Sequence, residues 1–458
     1  MTGKRGKPTG KATGKPTGKL PFPDAALVAY GKAHPGTGLT IGVVLELEGP
    51  PPDRCQLADS LRPVAELLGT GPFDGGPWSG ADGNAEAALE RGLSDVAHEA
   101  LASPLEPHRW SCSTVAGLPG GTSALVWRAD HRLLDGAGVV GVLAAWTGAL
   151  GPGALGPGVH VPGAHGPGAL GPGAATVSPA RAEPWRARGA LHRAVTDPLR
   201  AAWLCGTPLL ERRRGSTAEA VGGPPATLSY ACAETDLDLL RDIARRHGTT
   251  VNDVYLAALS GALRAQPQLH GTEGQMRAMV PVNVRGPGDA AVLRNRHIPL
   301  RIPLPVAEPD AGRRLALVAA RTAGRARALR HPLVRAVFRS VPAVAGGWCF
   351  ERYFDPGRAT LLASNVRGPS SPLVVAGRRV LHILPLNFLP AGHRLSTVLA
   401  TAQGRAVAGF TTTEPRPAAE SFAAAWLGEL RALATAGPWG SVQAAGADAT
   451  ASPAASAR

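Results

Sequence analysis

The sequence predicts an α/β protein made of two domains or subdomains, and three observations support that fold class. The chain has 458 residues, which is more than one ordinary hydrophobic core organises. Short segments rich in β-branched residues alternate with segments whose apolar residues recur at helical spacing. A Gly/Pro-rich stretch near the middle of the chain interrupts both patterns and separates two halves.

Changes in composition divide the chain into five predicted segments. These are a basic tail at 1–19, an N-terminal subdomain at 20–150, a Gly/Pro-rich crossover linker at 151–180, a C-terminal subdomain at 181–436 and a second tail at 437–458. The basic tail has no large apolar side chain after Met1, so we expect both tails to be disordered. The linker repeats a Gly/Pro-containing unit every five residues, which excludes a collagen triplet and prevents a helix or a core strand.

In the N-terminal subdomain the residue patterns predict three strands and three helices. The strands are 39–47, 110–115 and 123–129, and the helices are 24–30, 56–68 and 139–150. A turn at 117–122 joins the second and third strands. Gly136 and Gly138 give the chain the backbone freedom that it needs to turn from the third strand into the last helix.

In the C-terminal subdomain the patterns predict six strands and five helices. The strands are 227–233, 276–284, 298–306, 360–363 and a hairpin of 395–402 with 405–412; the helices are 184–205, one that begins at Thr235, one that begins after Thr250, 310–340 and 418–434. Thr250 and Asp253 form a capping box, and Thr235 and Asp238 suggest another. The prolines of strand 298–306 place that strand at a sheet edge.

Cysteine usage and apolar run lengths predict a cytoplasmic protein. The five cysteines are scattered and odd in number, which indicates neither a disulfide framework nor a metal-binding pair. They are Cys55, Cys112, Cys205, Cys232 and Cys349. No signal-peptide pattern opens the chain, and the longest apolar run, 137–150, is too short to cross a bilayer.

The formal net charge of +14 favours anionic partners. Candidates are coenzyme A phosphates, an acidic carrier protein and anionic lipid headgroups, and the basic tail makes peripheral membrane contact a candidate role. The segment 310–340 carries eight arginines and one acid, which suits phosphate or carrier-protein binding; for any single arginine, a solvated helix is the favoured explanation. Nucleic acid is not an expected partner, because aromatic residues are not interleaved with the basic ones.

One titratable residue, His131, follows a predicted buried strand and precedes a predicted buried helix. A neutral imidazole at such a turn can take a proton from a hydroxyl or amine that attacks a carbonyl group, and can return it to the leaving group. Asp135 either orients the imidazole or holds the turn through an arginine, and the residues alone leave both open. The Gly-x-Ser-x-Gly pattern is absent, and His131 with Asp135 has no metal-ligand partner cluster, so we predict direct base-assisted transfer without a metal.

The segment Asp130-His131-Arg132-Leu133-Leu134-Asp135-Gly136 resembles the HHxxxDG motif of coenzyme A-dependent acyltransferases and nonribosomal-peptide condensation domains. Further segments resemble the bacterial wax ester synthase/diacylglycerol acyltransferase family in particular. They are Thr250-Val251-Asn252-Asp253-Val254, the segment 279–285, Asn295-Arg296 and Ser364-Asn365-Val366-Arg367-Gly368-Pro369. The resemblance extends from about residue 20 to residue 434 and implies two chloramphenicol acetyltransferase-like subdomains, mixed sheets flanked by helices, with an active-site channel between them.

The resemblance also implies roles for the residues of the first motif. His131 is the expected general base, Asp135 is expected to be a structural acid of the catalytic motif, and Asp130 and Gly136 are expected to border the substrate. The co-substrate implied is an acyl-coenzyme A or acyl carrier protein thioester, with an alcohol or amine as the acceptor and no permanently bound cofactor.

The other motifs supply the expected second wall of the channel. Asn252 and Asp253 match the family's second motif, although the capping box by itself also explains Asp253. Ser364 and Asn365 are expected to line the channel from the C-terminal half and to help bind the thioester or its oxyanion.

Three departures from the family pattern shape the functional prediction. Asp130 stands where the family has its first histidine, the linker repeat lengthens the crossover, and aromatic residues make up only 5% of the chain. The Asp-His-Arg start is similar to dihydrolipoyl acyltransferases, but no lipoyl-domain pattern precedes it and a long second half follows. We therefore expect an acyltransferase of specialised metabolism. The alternatives are a wax ester synthase/diacylglycerol acyltransferase of storage-lipid synthesis, and a non-catalytic relative that binds a carrier protein or lipid.

Overall fold

The computed structural model describes residues 22–69, 92–103, 105–148, 199, 228–269, 276–286, 292–342 and 345–437. The predicted tail 1–19, the linker 151–180 and the predicted tail 437–458 apart from residue 437 lie outside these residues, as does the predicted helix 184–205 except for Leu199.

The first half of the chain forms four described helices and three strands. They are α1 (Phe22–Ala33), β1 (Thr40–Leu47), α2 (Arg54–Leu68), α3 (Leu93–Ala102), β2 (Trp110–Leu118), β3 (Thr122–Asp130) and α4 (Gly136–Trp146). The predicted elements of this half are all present, and α3 is an addition.

The second half forms eight strands and seven helices among the described residues. They are β4 (Ser229–Asp236), α5 (Leu237–Arg246), α6 (Val251–Arg264), β5 (Arg277–Asn283), β6 (His297–Pro303), α7 (Ala311–Thr322), α8 (Arg325–Leu329), α9 (Pro332–Ser340), α10 (Gly346–Tyr353), β7 (Leu361–Arg367), β8 (Val374–Val375), β9 (Arg378–Leu386), β10 (Leu395–Ala402), β11 (Arg405–Thr412) and α11 (Arg416–Thr435). The hairpin of β10 and β11 turns at Gln403 and Gly404, which both have positive φ, as predicted.

The strands form two sheets, and the mixed pairing that the resemblance implies is present in the second, whereas the first is antiparallel throughout. The first has the order β2-β3-β1-β9-β8, and the second has the order β4-β11-β10-β7-β5-β6. In the second sheet β7 runs parallel to β10 and β5, whereas β1 of the first sheet is antiparallel to both of its neighbours. The Pro-containing strand β6 lies at the edge, as the prolines of the predicted strand 298–306 indicate.

The first sheet is completed by strands from the second half of the chain. β9 pairs with β1 along most of its length, and β8 follows it at the edge. The segment 374–386 falls inside the predicted C-terminal subdomain 181–436, so the sheets do not divide the chain at the predicted linker. The predicted boundaries of the two subdomains and the linker stay a prediction.

Each sheet has its own hydrophobic core, and a smaller cluster joins them. The first core packs β1, β3 and α4 against α1 and α10, and the second packs β5, β7 and β11 against α6, α7 and α11. In the joining cluster, Val96 and Ala100 of α3 pack between Val44 of the first sheet and Tyr230 of the second. The Tyr230 hydroxyl donates to the Pro385 carbonyl at 2.9 Å. The apolar cluster and this hydrogen bond therefore connect the two sheets directly.

Two element predictions are wrong, and the structure gives the reason for each. Thr235 does not begin a helix, because β4 continues through Asp236, which pairs with Arg405 of β11. The segment 310–340 is three helices, because Gly324 adopts a left-handed conformation and Pro332, which lacks an N–H, starts the third. The capping box of Thr250 and Asp253 is confirmed.

Candidate active site

His131 lies on a strand–turn–helix connection that its neighbours hold in place. Its backbone N–H donates to Leu39 at 2.8 Å, and the Leu133 N–H closes the turn onto Asp130 at 2.9 Å. Asp135 then caps α4 by accepting from the Gly138 N–H at 2.9 Å. The imidazole is thus fixed at the junction predicted from the sequence.

Two rings lie beside the half-buried imidazole of His131. The Phe388 ring meets it edge to face with centroids 5.4 Å apart, and the His297 ring lies 6.1 Å away at 60°. Within the described part of the chain, the buried Nδ1 of His131 has no hydrogen-bond partner. Because Nδ1 is inaccessible, Nε2 is the nitrogen that a substrate can reach.

The environment of His131 favours the neutral imidazole. Burial, followed by the neighbouring His297, lowers the pKa of His131 to about 4, and the nearby Asp135 only partly opposes this effect. At neutral pH the ring is therefore uncharged, which is the form that a general base requires.

Asp135 is the most heavily bonded residue of the motif. Its carboxylate accepts two hydrogen bonds from Arg285, at 2.8 and 2.9 Å, and one from the Arg296 N–H at 2.9 Å. Although burial by itself raises its pKa, His297 and Arg285 hold the pKa of Asp135 well below its usual range. Of the two roles that the sequence leaves open for Asp135, this geometry matches the one in which the residue holds the turn through an arginine.

A short segment from the second half, 293–297, holds the motif from the other side. Asn295 donates from Nδ2 to the His131 carbonyl at 3.0 Å and to the buried Asp24 carboxylate at 2.9 Å. Together with the Arg296 N–H bond to Asp135, these contacts place His131 where the two halves of the molecule meet. The site residues Arg285, His297 and Phe388 have no role in the sequence predictions, although Arg285 and Asn295-Arg296 belong to segments that carry the resemblance.

Asp130 replaces the expected histidine and is engaged in a local ion pair. It is 3% exposed, and its carboxylate accepts from the Arg132 backbone at 2.9 Å and from the Arg132 guanidinium at 2.8 Å. The guanidinium of Arg132 lies against Gly31 of α1, where a Cβ atom would be 1.7 Å from Nη2. Asp130 therefore helps to fix α1 against the motif, and its predicted contact with substrate stays a prediction.

Strand β7 meets the motif through Val366, which is so close to Gly136 that a Cβ there would lie 2.8 Å from Cγ2. Ser364 is two residues away and, by strand alternation, lies on the same face as Val366. Leu362 shares that face and belongs to the core of the first sheet. Ser364, half-buried, thus faces the half of the molecule that carries His131.

Asn365 lies on the opposite face of β7 from Ser364, and the structure brings it to Asn252. Its Nδ2 donates to the Asn252 Oδ1 at 3.3 Å, at the start of α6. Asp253 accepts from the backbone N–H of Thr250, the N-cap residue of α6, and from the Thr322 hydroxyl at 2.5 Å. The predicted site residues thus form two groups, one around His131 and one around Asn252.

The arginines of 310–340 differ in their surroundings. Arg314 is buried and paired with Glu429, and Arg321 donates to the Pro303 carbonyl at 2.8 Å. These two arginines have structural roles, and phosphate or carrier-protein binding by the segment stays a prediction. Arg330 remains exposed on the surface, where its Nε donates to the Asn283 carbonyl at 3.0 Å.

Two sequence models of one family match the chain. The wax ester synthase/diacylglycerol acyltransferase catalytic domain matches residues 86–255, and the WS/DGAT C-terminal domain matches residues 293–419. The first range contains His131 and Asn252, and the second contains Asn295 and Ser364. The matched ranges thus include residues from both groups of the site.

Curated relatives extend the similarity over most of the chain. A probable diacylglycerol O-acyltransferase of Mycobacterium tuberculosis, tgs1, is 26% identical over 405 residues, which are 79% of this chain and 83% of that protein. The O-acyltransferase WSD of Acinetobacter baylyi is 28% identical over 178 residues, or 38% of each chain.

Solved structures share the two-lobed fold. The wax ester synthase/diacylglycerol acyltransferase from Marinobacter aquaeolei VT8 superposes with a TM-score of 0.55 at 17% identity, covering 90% of this chain and 97% of that one. The starter condensation domain of rhizomide synthetase, solved with C8-CoA and Leu-SNAC, gives a TM-score of 0.52 at 14% identity and covers 91% and 93%. The predicted fold class is confirmed. In the described part of the chain, no helix combines the length and apolar character needed to cross a membrane.

Proposed function

Because this chain belongs to the wax ester synthase/diacylglycerol acyltransferase family, we propose that it transfers an acyl group from acyl-coenzyme A to the hydroxyl of diacylglycerol. It is an acyltransferase, as the family models and the relatives' names establish. The relatives that span most of its length are named diacylglycerol O-acyltransferases, which favours storage-lipid synthesis over the specialised metabolism expected from composition. Long-chain alcohols, which would give wax esters, are the second acceptor class, favoured by the family name.

The observation that carries the proposal is the position of His131 on a fixed turn where the two halves of the molecule meet, with Nδ1 buried, which leaves Nε2 for the substrate. In the proposed step Nε2 takes the proton of the acceptor hydroxyl while its oxygen bonds to the thioester carbonyl carbon. The carbonyl oxygen becomes an oxyanion, and Ser364 is our candidate to donate to it from β7. When the tetrahedral intermediate collapses, the carbon–sulfur bond breaks, and the thiolate takes the proton back from Nε2.

Asp135 and Asn295 support this step without touching substrate in the proposal. Asp135 fixes the turn through Arg285, and Asn295 fixes the backbone of His131 through its carbonyl. A base held on both sides loses little freedom when substrate binds, which is how positioning contributes to rate.

The test is a panel of acyl-coenzyme A donors with diacylglycerol, a long-chain alcohol and an amine as acceptors. Products are identified by mass spectrometry, and release of the free thiol of coenzyme A is followed alongside. We expect ester products with diacylglycerol, and we expect His131→Ala to lower kcat by at least about 100-fold without loss of folding. His34→Ala, a half-buried histidine paired with Glu351 on α10, is the control and is expected to keep turnover.

Three results would contradict the proposal. Undiminished turnover in His131→Ala would show that His131 is not the general base. If amides were the only products, the result would favour the predicted role in specialised metabolism over storage-lipid synthesis. No product with any coenzyme A donor or acyl carrier protein would favour the non-catalytic relative.

A further inference from the structure

Large apolar side chains are exposed on two helices that follow each other in the chain, α9 and α10. Leu333 and Val337, one turn apart on α9, are 59% and 68% exposed, and Trp348 on α10 is 57% exposed. A single exposed apolar residue is ordinary, but such a cluster is typical of an interaction site. The other exposed large apolar side chains of the described chain lie elsewhere: Leu199, Leu317 and Val374.

The packing of α9 explains why one of its faces is left open. Val334 and Phe338 pack against the core of the second sheet, and the Phe338 ring meets Phe22 of α1 edge to face with centroids 5.1 Å apart. Leu333 and Val337 each precede one of these inward residues. Since successive residues of a helix are rotated by about 100°, they face away from that contact.

Helix α10 packs against the same face of α1. A Cβ atom on Gly346 would lie 3.0 Å from the Ala26 backbone nitrogen, and one on Gly347 would lie 2.9 Å from the Ala29 Cβ. Residues three and four positions apart are neighbours on a helix surface, so Phe22, Ala26 and Ala29 share one face of α1. The exposed side chains of α9 and α10 therefore lie on the same side of the molecule.

Positive charge surrounds these apolar side chains. Between Asp310 and Glu351 the sequence contains arginines but no acidic residue. Arg330 and Arg339 are exposed on either side of the apolar turn, and the bond from Arg330 to the Asn283 carbonyl at 3.0 Å does not cancel its charge. We call these apolar and basic residues together the α9–α10 surface: Leu333, Val337, Trp348, Arg330, Arg335 and Arg339.

The α9–α10 surface adjoins the candidate active site. The Arg335 guanidinium lies against Gly286, where a Cβ atom would be 2.3 Å from Nη1. The residue before Gly286 is Arg285, which holds Asp135 with two hydrogen bonds. A partner bound to the α9–α10 surface would thus lie beside the contacts that fix the motif.

We propose that the α9–α10 surface docks on membranes that carry anionic phospholipids. Apolar side chains on a basic helical surface enter the boundary between headgroups and acyl chains, and guanidinium groups bind lipid phosphates. Tryptophan is enriched at this boundary. Protruding side chains can enter fluid lipid without a matching cavity, which a folded acidic protein would have to supply. The docking does not depend on the proposed reaction.

The experiment measures the partition of the full chain onto vesicles of phosphatidylcholine, with and without phosphatidylglycerol, by flotation. We expect binding to the anionic vesicles that weakens as salt is added. Replacing both exposed residues of α9, Leu333→Ser with Val337→Ser, should lower the partition coefficient by at least about 10-fold. Arg339→Gln should lower it roughly fivefold on anionic vesicles and leave it unchanged on neutral ones.

Val374→Ser, which removes an exposed apolar side chain from β8, is the matched control and should bind as the wild-type protein does. The predicted basic tail 1–19 is the same in every variant, so the differences report the α9–α10 surface. If the double variant fails to fold, Trp348→Gln gives an independent measurement with the same expected direction.

Four outcomes would overturn the proposal. They are a wild-type protein that does not bind anionic vesicles, one that binds neutral vesicles equally well, one that binds acyl carrier protein in place of vesicles, and variants of the α9–α10 surface that bind like the control. Because no turnover is measured, failure of the proposed reaction leaves this test unaffected.

Discussion

Arg285 would lose its partner if Asp135 were neutralised, and both side chains are nearly buried, with 10% and 7% exposed. Removing one member of a buried ion pair leaves an uncompensated charge, so we expect Asp135→Asn to lower the free energy of unfolding by about 3–5 kcal/mol. Urea denaturation measures the change. Asp59→Asn, which breaks an exposed pair with Arg62, should lower the free energy of unfolding by no more than about 1 kcal/mol. Equal losses in the two variants would show that the pair of Asp135 with Arg285 contributes no more to stability than an exposed pair.

At the residue scale, the sequence predicts the part of the site that is continuous in the chain. His131, Asp135 and Gly136 belong to one motif. The predicted strand that precedes the motif and the predicted helix that follows it identify these residues as site candidates. Arg285 lies 150 residues further on, in a stretch whose spacing does not reveal which acid it pairs with. His297 and Phe388 escape prediction for the same reason, since their partners are set by tertiary packing and not by local pattern.

Helix α4 packs tightly on the segment 293–297 at Gly138, where a Cβ would lie 2.5 Å from the Leu293 carbonyl oxygen. Because that atom is backbone, Gly138→Ala must displace the segment that carries Asn295 and His297. We therefore expect the variant to lose both stability and kcat. Gly428→Ala, at a helical glycine of α11 with open space around it, should instead stabilise the protein by about 0.5–1 kcal/mol.

Thermal unfolding and turnover, measured on both alanine variants, test this reasoning. If Gly138→Ala behaves like Gly428→Ala, the contact between α4 and the Leu293 carbonyl does not position the site.

At the element scale, prediction succeeded where residues carry a local physical signal. The prolines of β6, the capping box of Thr250 and the Gln403-Gly404 turn each dictate their own geometry. Strand β9 was not predicted, because its segment, Arg-Arg-Val-Leu-His-Ile-Leu-Pro-Leu, includes a proline and does not alternate strictly. Its place in the sheet comes from pairing with a strand from the first part of the chain, which no local pattern shows.

For the whole molecule, two histidines that are uncharged when folded make stability depend on pH. Burial is the main cause that lowers the pKa of both His131 and the buried His393 to about 4, whereas an unfolded histidine titrates near its ordinary value of 6.5. As pH falls from 6.5 towards 4, the unfolded chain binds these protons and the folded protein does not, so stability is lost across that window.

The urea midpoint should therefore fall between pH 7 and pH 5, and it should fall less in His393→Asn than in the wild-type protein. Carboxylates that titrate in the same range are common to both proteins, so the difference between the two slopes isolates His393. Equal slopes would contradict the assignment.

The pairing of β9 with β1 has a consequence for how the protein is made. Protein synthesis proceeds at about 5–20 residues per second, so β1 leaves the ribosome on the order of tens of seconds before β9 exists. During that time the inner edge of β1, with its Ile-Gly-Val-Val-Leu run, is an open template for pairing with other chains. The proposed base His131 lies directly beyond the neighbouring strand, and its Phe388 neighbour follows β9, so the proposed active site is assembled only near the end of translation.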